Sequence, residues 1–469
     1  MSLRRVDTSV NRAVPEVEAF IRHGDRPAGM IGIVVSRADS ASERIGDALL
    51  DLHDWSERTD TSTDPADGGG TVYYTDAFEL RMFDTIHLEL SNVAEVFEDP
   101  SMVVFVSRHA GDTGPLLTTH IPGNIGSAEF GGSPGELPEA ATGAMKQIYT
   151  ALRIHAPSGF DVGFECTHHG PSRVGAPCLF VEVGSGPREW DNEDAAQAVA
   201  RAVLSLSGVH PFSDRTVVGF GGGHYAPRFE RILRETGWGV GHVAADWSLD
   251  EVDDLSIIEA VFTRSHADVA LIDGDHPAVI EQIRNRGHRI VSETWLREVD
   301  DVPFDLVDRV ETVLGPIDDG TRIGDRRHVD PTAITSCELP SDLVDTLNGN
   351  DPARAIEVIR NESVGYRTRD NGNRITGDLV IPDGTSLETV ITALIPVLRP
   401  HFDAVELTDD ALVLTRRAFD PSAAASLGVP EGPLFGRLAA GESVDIDGTR
   451  VNPADVTRIQ KQDIPLTKT

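Results

Sequence analysis

From Met30 to about Asp300 the chain alternates two kinds of pattern. Short apolar runs at residues 31–36, 102–106, 162–166, 178–183, 217–220 and 269–272 read as strands. Between them, residues 42–53, 139–155, 193–207, 227–235 and 277–286 repeat their apolar positions at helical spacing. The runs are apolar throughout and do not alternate with polar residues, which predicts strands buried on both faces. The expected fold is therefore α/β: a three-layer sandwich around a largely parallel or mixed central sheet. Function in such folds sits at the carboxyl ends of strands.

The pattern also divides the chain. Residues 1–29 form a polar, unpatterned leader, expected to be disordered, with Met30 as the natural start. Residues 30–300 make the catalytic domain, and 301–330, rich in Asp, Gly and Arg, a linker. Residues 331–469 form a small α/β appendage, with helices at 341–360 and 386–398 and strands at 379–381, 404–407 and 411–415. Its stretch at 427–444, L-G-V-P-E-G-P-L-F-G-R-L-A-A-G-E-S-V, is dense in Pro and Gly and reads as a structural clasp. A length of 469 residues accommodates two such domains.

Composition changes the picture in one respect. The formal charge is −35, and lysine occurs only at Lys146, Lys461 and Lys468. Abundant Asp and Glu with almost no Lys is the pattern of a protein living in multimolar salt. A negative surface ordinarily argues against nucleic-acid partners, but at ~1 M salt the Debye length is about 3 Å. RNA is therefore not excluded, provided that local Arg and backbone N–H groups do the binding. DNA is not an expected partner. No run approaches a membrane span, and the three cysteines lack C-x-x-C spacing, which fits a reducing cytoplasm.

The chemistry is concentrated where strands end. E-C-T-H-H-G-P at 165–171 places a carboxylate, a thiol, a hydroxyl and two imidazoles in seven residues. S-R-H at 107–109, L-T-T-H at 117–120 and G-G-G-H-Y at 221–225 also put a His past a strand. A lone His near a strand end is more often structural, but four such segments point to one shared site. Zinc needs three protein ligands and an open position for water, and His109, His120, His168 and His169 supply enough. Adjacent residues of extended backbone point to opposite faces, so His168 and His169 are expected to do different jobs. Glu165, by the same parity, faces away from His168 unless the Gly170-Pro171 turn intervenes.

Glycines 221–223, between a strand and a helix beginning at Pro227, are expected to present backbone N–H groups to a ligand's phosphate, ribose or aminoacyl group, a reading preferred here over a tight strand–helix crossing. Thr118, Thr119 and Asn124 lie in one polar loop suited to holding a substrate. Arg108 and Lys146 are the nearest cations, and Lys146 is the only lysine before residue 461. Gly131-Gly132-Ser133-Pro134-Gly135 satisfies G-x-S-x-G, yet proline follows the serine and cannot donate the N–H that a nucleophile elbow needs. Ser133 is not expected to be a nucleophile.

Together, S-R-H at 107–109, L-T-T-H-x-x-G-N at 117–124, A-M-K at 144–146, E-x-T-H-H-G-P at 165–171, F-V-E-V-G-S at 180–185, E-W at 189–190 and G-G-G-H-Y-A-P at 221–227 closely resemble the archaeal and plant type of D-aminoacyl-tRNA deacylase. The resemblance covers roughly residues 30–300. It implies a fold like that of peptidyl-tRNA hydrolase and nucleoside phosphorylases, one or two zinc ions, and hydrolysis of the ester joining a D-amino acid to the 3′ acceptor end of tRNA. In that reading Glu165, His168 and His224 are catalytic, and His109, His120, His168 and His169 bind metal. Arg108, Thr118, Thr119, Asn124, Lys146, Gly221, Gly222, Gly223 and Tyr225 contact the substrate. The enzyme is expected to be cytoplasmic and monomeric. A nucleoside phosphorylase-like or metallopeptidase-like enzyme and a non-catalytic tRNA-binding module remain open. The stretch at 427–444 is similar to a segment of tRNA 3′-processing nucleases, but their H-x-H-x-D-H is absent and no nuclease activity follows.

Overall fold

Every residue of the first strand, β1 (Ile31–Ser36), is buried, as a run without a polar face requires. The computed structural model describes residues 29–252 and 255–466; all of the expected leader but Gly29 lies outside the described residues. The chain divides into two compact units, residues 1–291 and 292–469.

The first unit holds two sheets. The larger contains β1, β2 (Ser56–Asp60), β3 (Gly70–Tyr74), β4 (Phe78–Phe83), β5 (Met102–Arg108), β6 (Leu116–His120), β7 (Asp161–Phe164) and β8 (Cys178–Gly184), in the order β2-β3-β4-β1-β5-β8-β6-β7. Strands β4, β1, β5 and β8 are parallel neighbours, whereas β6 runs against β8. The second sheet is wholly parallel: β9 (Thr216–Gly221), β10 (Gly239–Ala244), β11 (Val269–Asp273) and β12 (Arg289–Val291), ordered β10-β9-β11-β12. The α/β expectation with a large mixed sheet therefore holds, and its parallel strands are shared between two sheets. The helix Thr142–His155 packs on β6, β7 and β8 of one sheet and on β10 of the other.

Register places the chemistry. Ser107, Glu182 and Thr118 lie side by side across β5, β8 and β6, so their side chains share one face. Two residues along, Phe105 and Phe180 stack at 4.7 Å, and the His120 ring stacks on Phe180 at 5.2 Å. An aromatic pair of this kind is worth about 0.5–1.5 kcal/mol beyond its burial. That face is covered by loops and short 3₁₀ turns, whose Val93, Phe97 and Val174 join Phe105 and Phe180 in one core. A sheet face roofed by loops leaves room for a cavity.

The second unit has its own core, in which Leu343, Leu347, Ile359, Leu379, Leu394 and Leu412 are buried together. It contains an antiparallel sheet of β13 (Thr321–Ile323), β14 (Ile334–Glu338), β15 (Gly365–Arg369) and β16 (Arg374–Pro382). A second one comprises β17 (Ala404–Leu407), β18 (Ala411–Phe419) and β21 (Thr457–Pro465). The small hairpin β19 (Val444–Ile446) and β20 (Thr449–Val451) completes the strands. Residues 301–330, expected as a linker, instead contain the helix Phe304–Leu314, with Leu306, Val307, Val310 and Leu314 buried. Its apolar positions are spaced for a helix but embedded among Asp and Arg, which masks them. The helix expected over 341–360 breaks at Asp351, whose side chain caps a second helix beginning at Pro352. Residues 427–444 supply Val429, Leu438 and Val444 to a small core of their own. Among the described residues no helix is long and apolar enough to cross a membrane.

Candidate active site

The segment at 165–171 stitches the two sheets of the first unit together. Glu165 N–H donates to Thr119 O of β6 (3.2 Å), Cys166 N–H to His224 O beyond β9 (2.8 Å) and Thr167 N–H to Val243 O of β10 (3.0 Å). Gly123 N–H donates to His169 O at 2.6 Å. With its backbone bonds going to three different segments, the stretch turns and is not a strand. The alternation expected for extended backbone therefore fails. His168 and His169 enter the same cluster, their ring centres 4.4 Å apart, and Glu165 lies 3.6 Å from His168 Nε2.

Five imidazoles and two carboxylates converge here. Glu165, fully buried, accepts from His224 Nε2 at 2.8 Å and from the Thr118 hydroxyl, and lies 3.2 Å from His109 Nδ1. Glu182, from the middle of β8, accepts from Ser107 Oγ at 2.7 Å and lies 3.5 Å from the same His109 Nδ1. Tyr225 Oη is 3.1 Å from His109 Nε2. His168 Nδ1 faces Cys166 O (2.9 Å) and His169 Nδ1 faces Gly170 O (2.7 Å). A carbonyl only accepts, so both rings carry a proton on Nδ1. His168 turns an Nε2 lone pair inward, whereas His169 Nε2 also faces Glu182 Oε1 at 3.8 Å. Against the burial of the ring, that carboxylate raises its pKa. His120 Nε2 lies 3.1 Å from His169 Nε2, and His120 Nδ1 is buried without a hydrogen-bond partner.

Charge follows from these contacts. Burial works against a charged His109, but the hydrogen bonds and negative charge of Glu165 and Glu182 outweigh it and raise its pKa to about 11. Burial likewise opposes ionised Glu165, yet hydrogen bonds from His109 and His224 hold it well below the usual carboxylate range. His120 is pushed down to about 4 by burial, and His168 falls well below its ordinary value through burial and the neighbouring His169 and His120. Two neutral imidazoles beside ionised carboxylates form a set of electron-pair donors.

Two groupings suit a metal ion: His120, His168 and His169, and separately His109, Glu165 and Glu182, each with donor atoms within 4.8 Å of one another. A third joins His168 and His224 to Cys166, whose thiol is raised to about 12 by burial and by Glu165. The all-imidazole set fits best. Carbonyls face Nδ1 of two of its rings, the usual second layer around a metal-bound His, and the third, His120, meets only His169 through Nε2 and has no partner at Nδ1. Beside the cluster opens a cavity of about 380 Å³, lined by the polar His168, His169, His224 and Glu182 and by the apolar Ile86, Leu88 and Phe130.

Several residues expected at the substrate do other work. Thr118 spends its hydroxyl on Glu165, and Thr119 donates to Phe180 O (2.7 Å). Asn124 donates to Gly131 O and Ser133 O, bracing the loop that carries Phe130. Lys146 Nζ donates to Leu233 O, Thr236 O and Trp238 O, capping the end of the helix Pro227–Glu235. Gly222 N–H donates to Asp246 Oδ1, and a Cβ on Gly221 would lie 1.9 Å from Asp273 O. Gly221 and Gly222 thus serve the tight strand–helix crossing, not the ligand approach expected of them. Arg108 lines the cavity, its guanidinium 5.2 Å from the Trp190 ring centre, and Tyr225 reaches His109 as described. Glu182, Ser107 and the buried His87, which also lines the cavity, had been assigned no role. Glu182 could have been found, because an acidic residue inside an apolar strand must be paired.

The two sheets, the stitched segment and the cluster define an α/β protein with a buried histidine–carboxylate centre able to hold a metal ion. A family profile described as D-aminoacyl-tRNA deacylase matches residues 96–294. A D-aminoacyl-tRNA deacylase of Natronomonas pharaonis is 47% identical over 92% of this chain and 99% of its own. That of Methanospirillum hungatei is 30% identical over 76% of this chain and 82% of its own. A solved structure titled as a conserved protein of unknown function, AF0625, is 28% identical, with a TM-score of 0.53, covering 58% of this chain and 98% of its own. The chain belongs to the D-aminoacyl-tRNA deacylase family.

Proposed function

We propose that the protein hydrolyses the ester of D-aminoacyl-tRNA in the cytoplasm, releasing the D-amino acid and free tRNA, and that it acts as a monomer with zinc at His120, His168 and His169. The observation that carries this reading is the cavity in which a polar lining of imidazoles and carboxylates meets an apolar one. An aminoacyl ester has the matching halves: a carbonyl to be attacked and a side chain to be sheltered. A zinc ion bound there would supply Lewis-acid activation of water and of the ester carbonyl.

The chain's own residues divide the remaining work. Glu165 is too acidic for a good base, so its part is to orient His224, a carboxylate–imidazole pairing like that of hydrolytic triads. His224, with its side chain 35% exposed, takes the proton from the attacking water. His109, held charged between Glu165 and Glu182, offers positive charge near the developing oxyanion. Ile86, Leu88 and Phe130 take the amino-acid side chain. Fixing the side chain, carbonyl and amino group at three places separates D from L.

The test is hydrolysis of D- and L-tyrosyl-tRNA in high salt, with metal analysis of the same sample. Turnover of the D form, with His168→Ala and His224→Ala folded but inactive, is the expected result. Near-normal turnover by both variants would sink the assignment. Activity on free nucleosides or D-peptides alone would favour the other enzyme classes, and an intact ester at saturating protein would leave a binding module.

A further inference from the structure

The negative charge of this chain is unevenly spread. Residues 411–469 contain seven Arg and Lys and seven Asp and Glu, so they are neutral, and the preceding 410 residues carry the whole formal charge of −35. Two of the three lysines lie in this last stretch. Within it, β18 and β21 pair over nine residues, with Arg416 opposite Gln460, Arg417 opposite Ile459, Ala418 opposite Arg458 and Thr415 opposite Lys461. Strand β17 ends its pairing at Thr415, so the part of the ribbon from Arg416 onward stands out as two strands. Arg416, Arg417, Arg458, Gln460 and Lys461 are exposed there, and Ile459 is 75% exposed.

The guanidinium groups of Arg416, Arg417 and Arg458 make no ion pair among the described residues. Arg416 bonds only Gln460 Oε1 across the ribbon, at 3.0 Å, and lies over the Phe402 ring. Lys461 is shared with Asp463 (3.1 Å), and Asp403 accepts from the backbone N–H of Arg417. Charges on an edge strand also discourage edge-to-edge pairing, but a chain this acidic could use Asp or Glu for that. Unpaired guanidinium groups, in a chain that supplies carboxylates almost everywhere, need another partner.

We infer that the β18–β21 ribbon, with Arg416 and Arg458 on one face and Arg417 and Lys461 on the other, is a docking element for the sugar–phosphate backbone of RNA, and that its occupant is the body of the tRNA substrate. The inference rests on the tRNA reading above. The chemistry is charge complementarity: arginines match phosphate oxygens in fork geometry, and backbone contacts position an RNA without reading its sequence. The solved relative AF0625 matches only 58% of this chain while being covered over 98% of its own. A structure similar to part of this chain is therefore complete without an equivalent of much of the rest.

The test uses the full chain and a variant carrying Arg416→Ser, Arg417→Ser, Arg458→Ser and Lys461→Ser, all at exposed positions. Binding of uncharged tRNA is followed by fluorescence anisotropy across a salt series, and hydrolysis is compared on D-tyrosyl-tRNA and on a D-tyrosyl ester of the terminal CCA trinucleotide. In the variant, tRNA affinity is expected to fall at least ~10-fold and the slope of log K against log salt to drop by about 3. KM for D-tyrosyl-tRNA should rise with kcat unchanged, and the trinucleotide ester should be hydrolysed as by the unaltered protein. Unchanged tRNA affinity and salt slope would overturn the inference. So would a variant whose only defect, seen by sedimentation, is loss of self-association, since the ribbon would then bind a second copy. If the unaltered protein binds tRNA through these residues but hydrolyses no D-aminoacyl ester, the functional reading fails and the docking surface stands.

Discussion

His120 and His169 face each other through their Nε2 atoms at 3.1 Å. His169 has a proton committed on the far side of the ring, to Gly170 O, so in the neutral ring the inward nitrogen is a lone pair. With no cation beside it, and against its burial, Glu182 raises the pKa of that ring. A neutral His120 can donate to it only by leaving its own buried Nδ1 unsatisfied. A cation between the rings would use both lone pairs at once.

Metal content is therefore the first prediction. The purified protein should retain zinc, and His169→Ala should lose it, as read by elemental analysis without reference to activity. Chelation should also lower the melting temperature of the unaltered protein, because ligand-bound folded protein is stabilised by mass action. A melting curve indifferent to chelator would count against the site.

Glu165→Gln keeps the shape of the side chain and removes the charge that orders His109, His224 and Thr118. We expect kcat/KM for D-aminoacyl-tRNA to fall at least ~100-fold, within the range attributed to positioned acid–base groups. An activity within a few fold of normal would show that His224 does not depend on it.

Phe130 is 60% exposed at the cavity mouth, so Phe130→Ala should fold. The acyl-wall role predicts a loss of about 10-fold or more in kcat/KM for D-phenylalanyl-tRNA and little change for D-alanyl-tRNA, the scale at which apolar pockets discriminate. Equal losses for both substrates would move Phe130 to the terminal adenosine.

Stability should fall on the acid side through His242. It is buried, with Nδ1 3.0 Å from Thr167 Oγ1 and Nε2 2.9 Å from Pro138 O, and burial lowers its pKa from 6.5 to about 4. The unfolded chain takes up this proton first. The contribution is thus complete above pH 6.5 and is lost as pH falls to about 4, a change of about 3 kcal/mol. Urea titrations from pH 7.5 to 4.5 should show a shallower dependence in His242→Gln; parallel curves would refute the assignment.

Lys146→Met should destabilise by about 1.5–3 kcal/mol, the range for hydrogen bonds to a charged group, while leaving kcat unchanged. Thermal melts and a kcat measurement decide it. A lower kcat at full stability would return Lys146 to the site.

How much of this was legible in the sequence depended on where each residue's partner lies. The imidazole cluster was legible because four strand ends repeat one arrangement, and strands such as Ile31–Ser36 because a doubly buried run has no polar face. Lys146 drew attention by its rarity, whereas the carbonyls of Leu233, Thr236 and Trp238 that it meets lie on a distant stretch, and carbonyls leave no trace in composition. Thr118 and Asn124 were expected to hold substrate, and their hydrogen bonds go to Glu165 and to the loop at 131–133; a short polar side chain can serve a substrate or a neighbouring loop equally well. His168 and His169 were separated by a rule for extended chain that the backbone bonds of 165–171 suspend.

Those same bonds have a mechanical consequence. Gly170 N–H donates to Phe130 O at 3.0 Å, and a Cβ on Gly170 would lie 2.6 Å from Gly131 C. The loop that offers the apolar wall and the segment that offers the imidazoles are thus pressed together backbone to backbone, with no side chain between them to absorb a shift. Widening the cavity by moving that loop would drag the imidazole rings of His168 and His169 with it. Selectivity and turnover cannot be tuned independently by loop movement here; they can be separated only by trimming side chains in place.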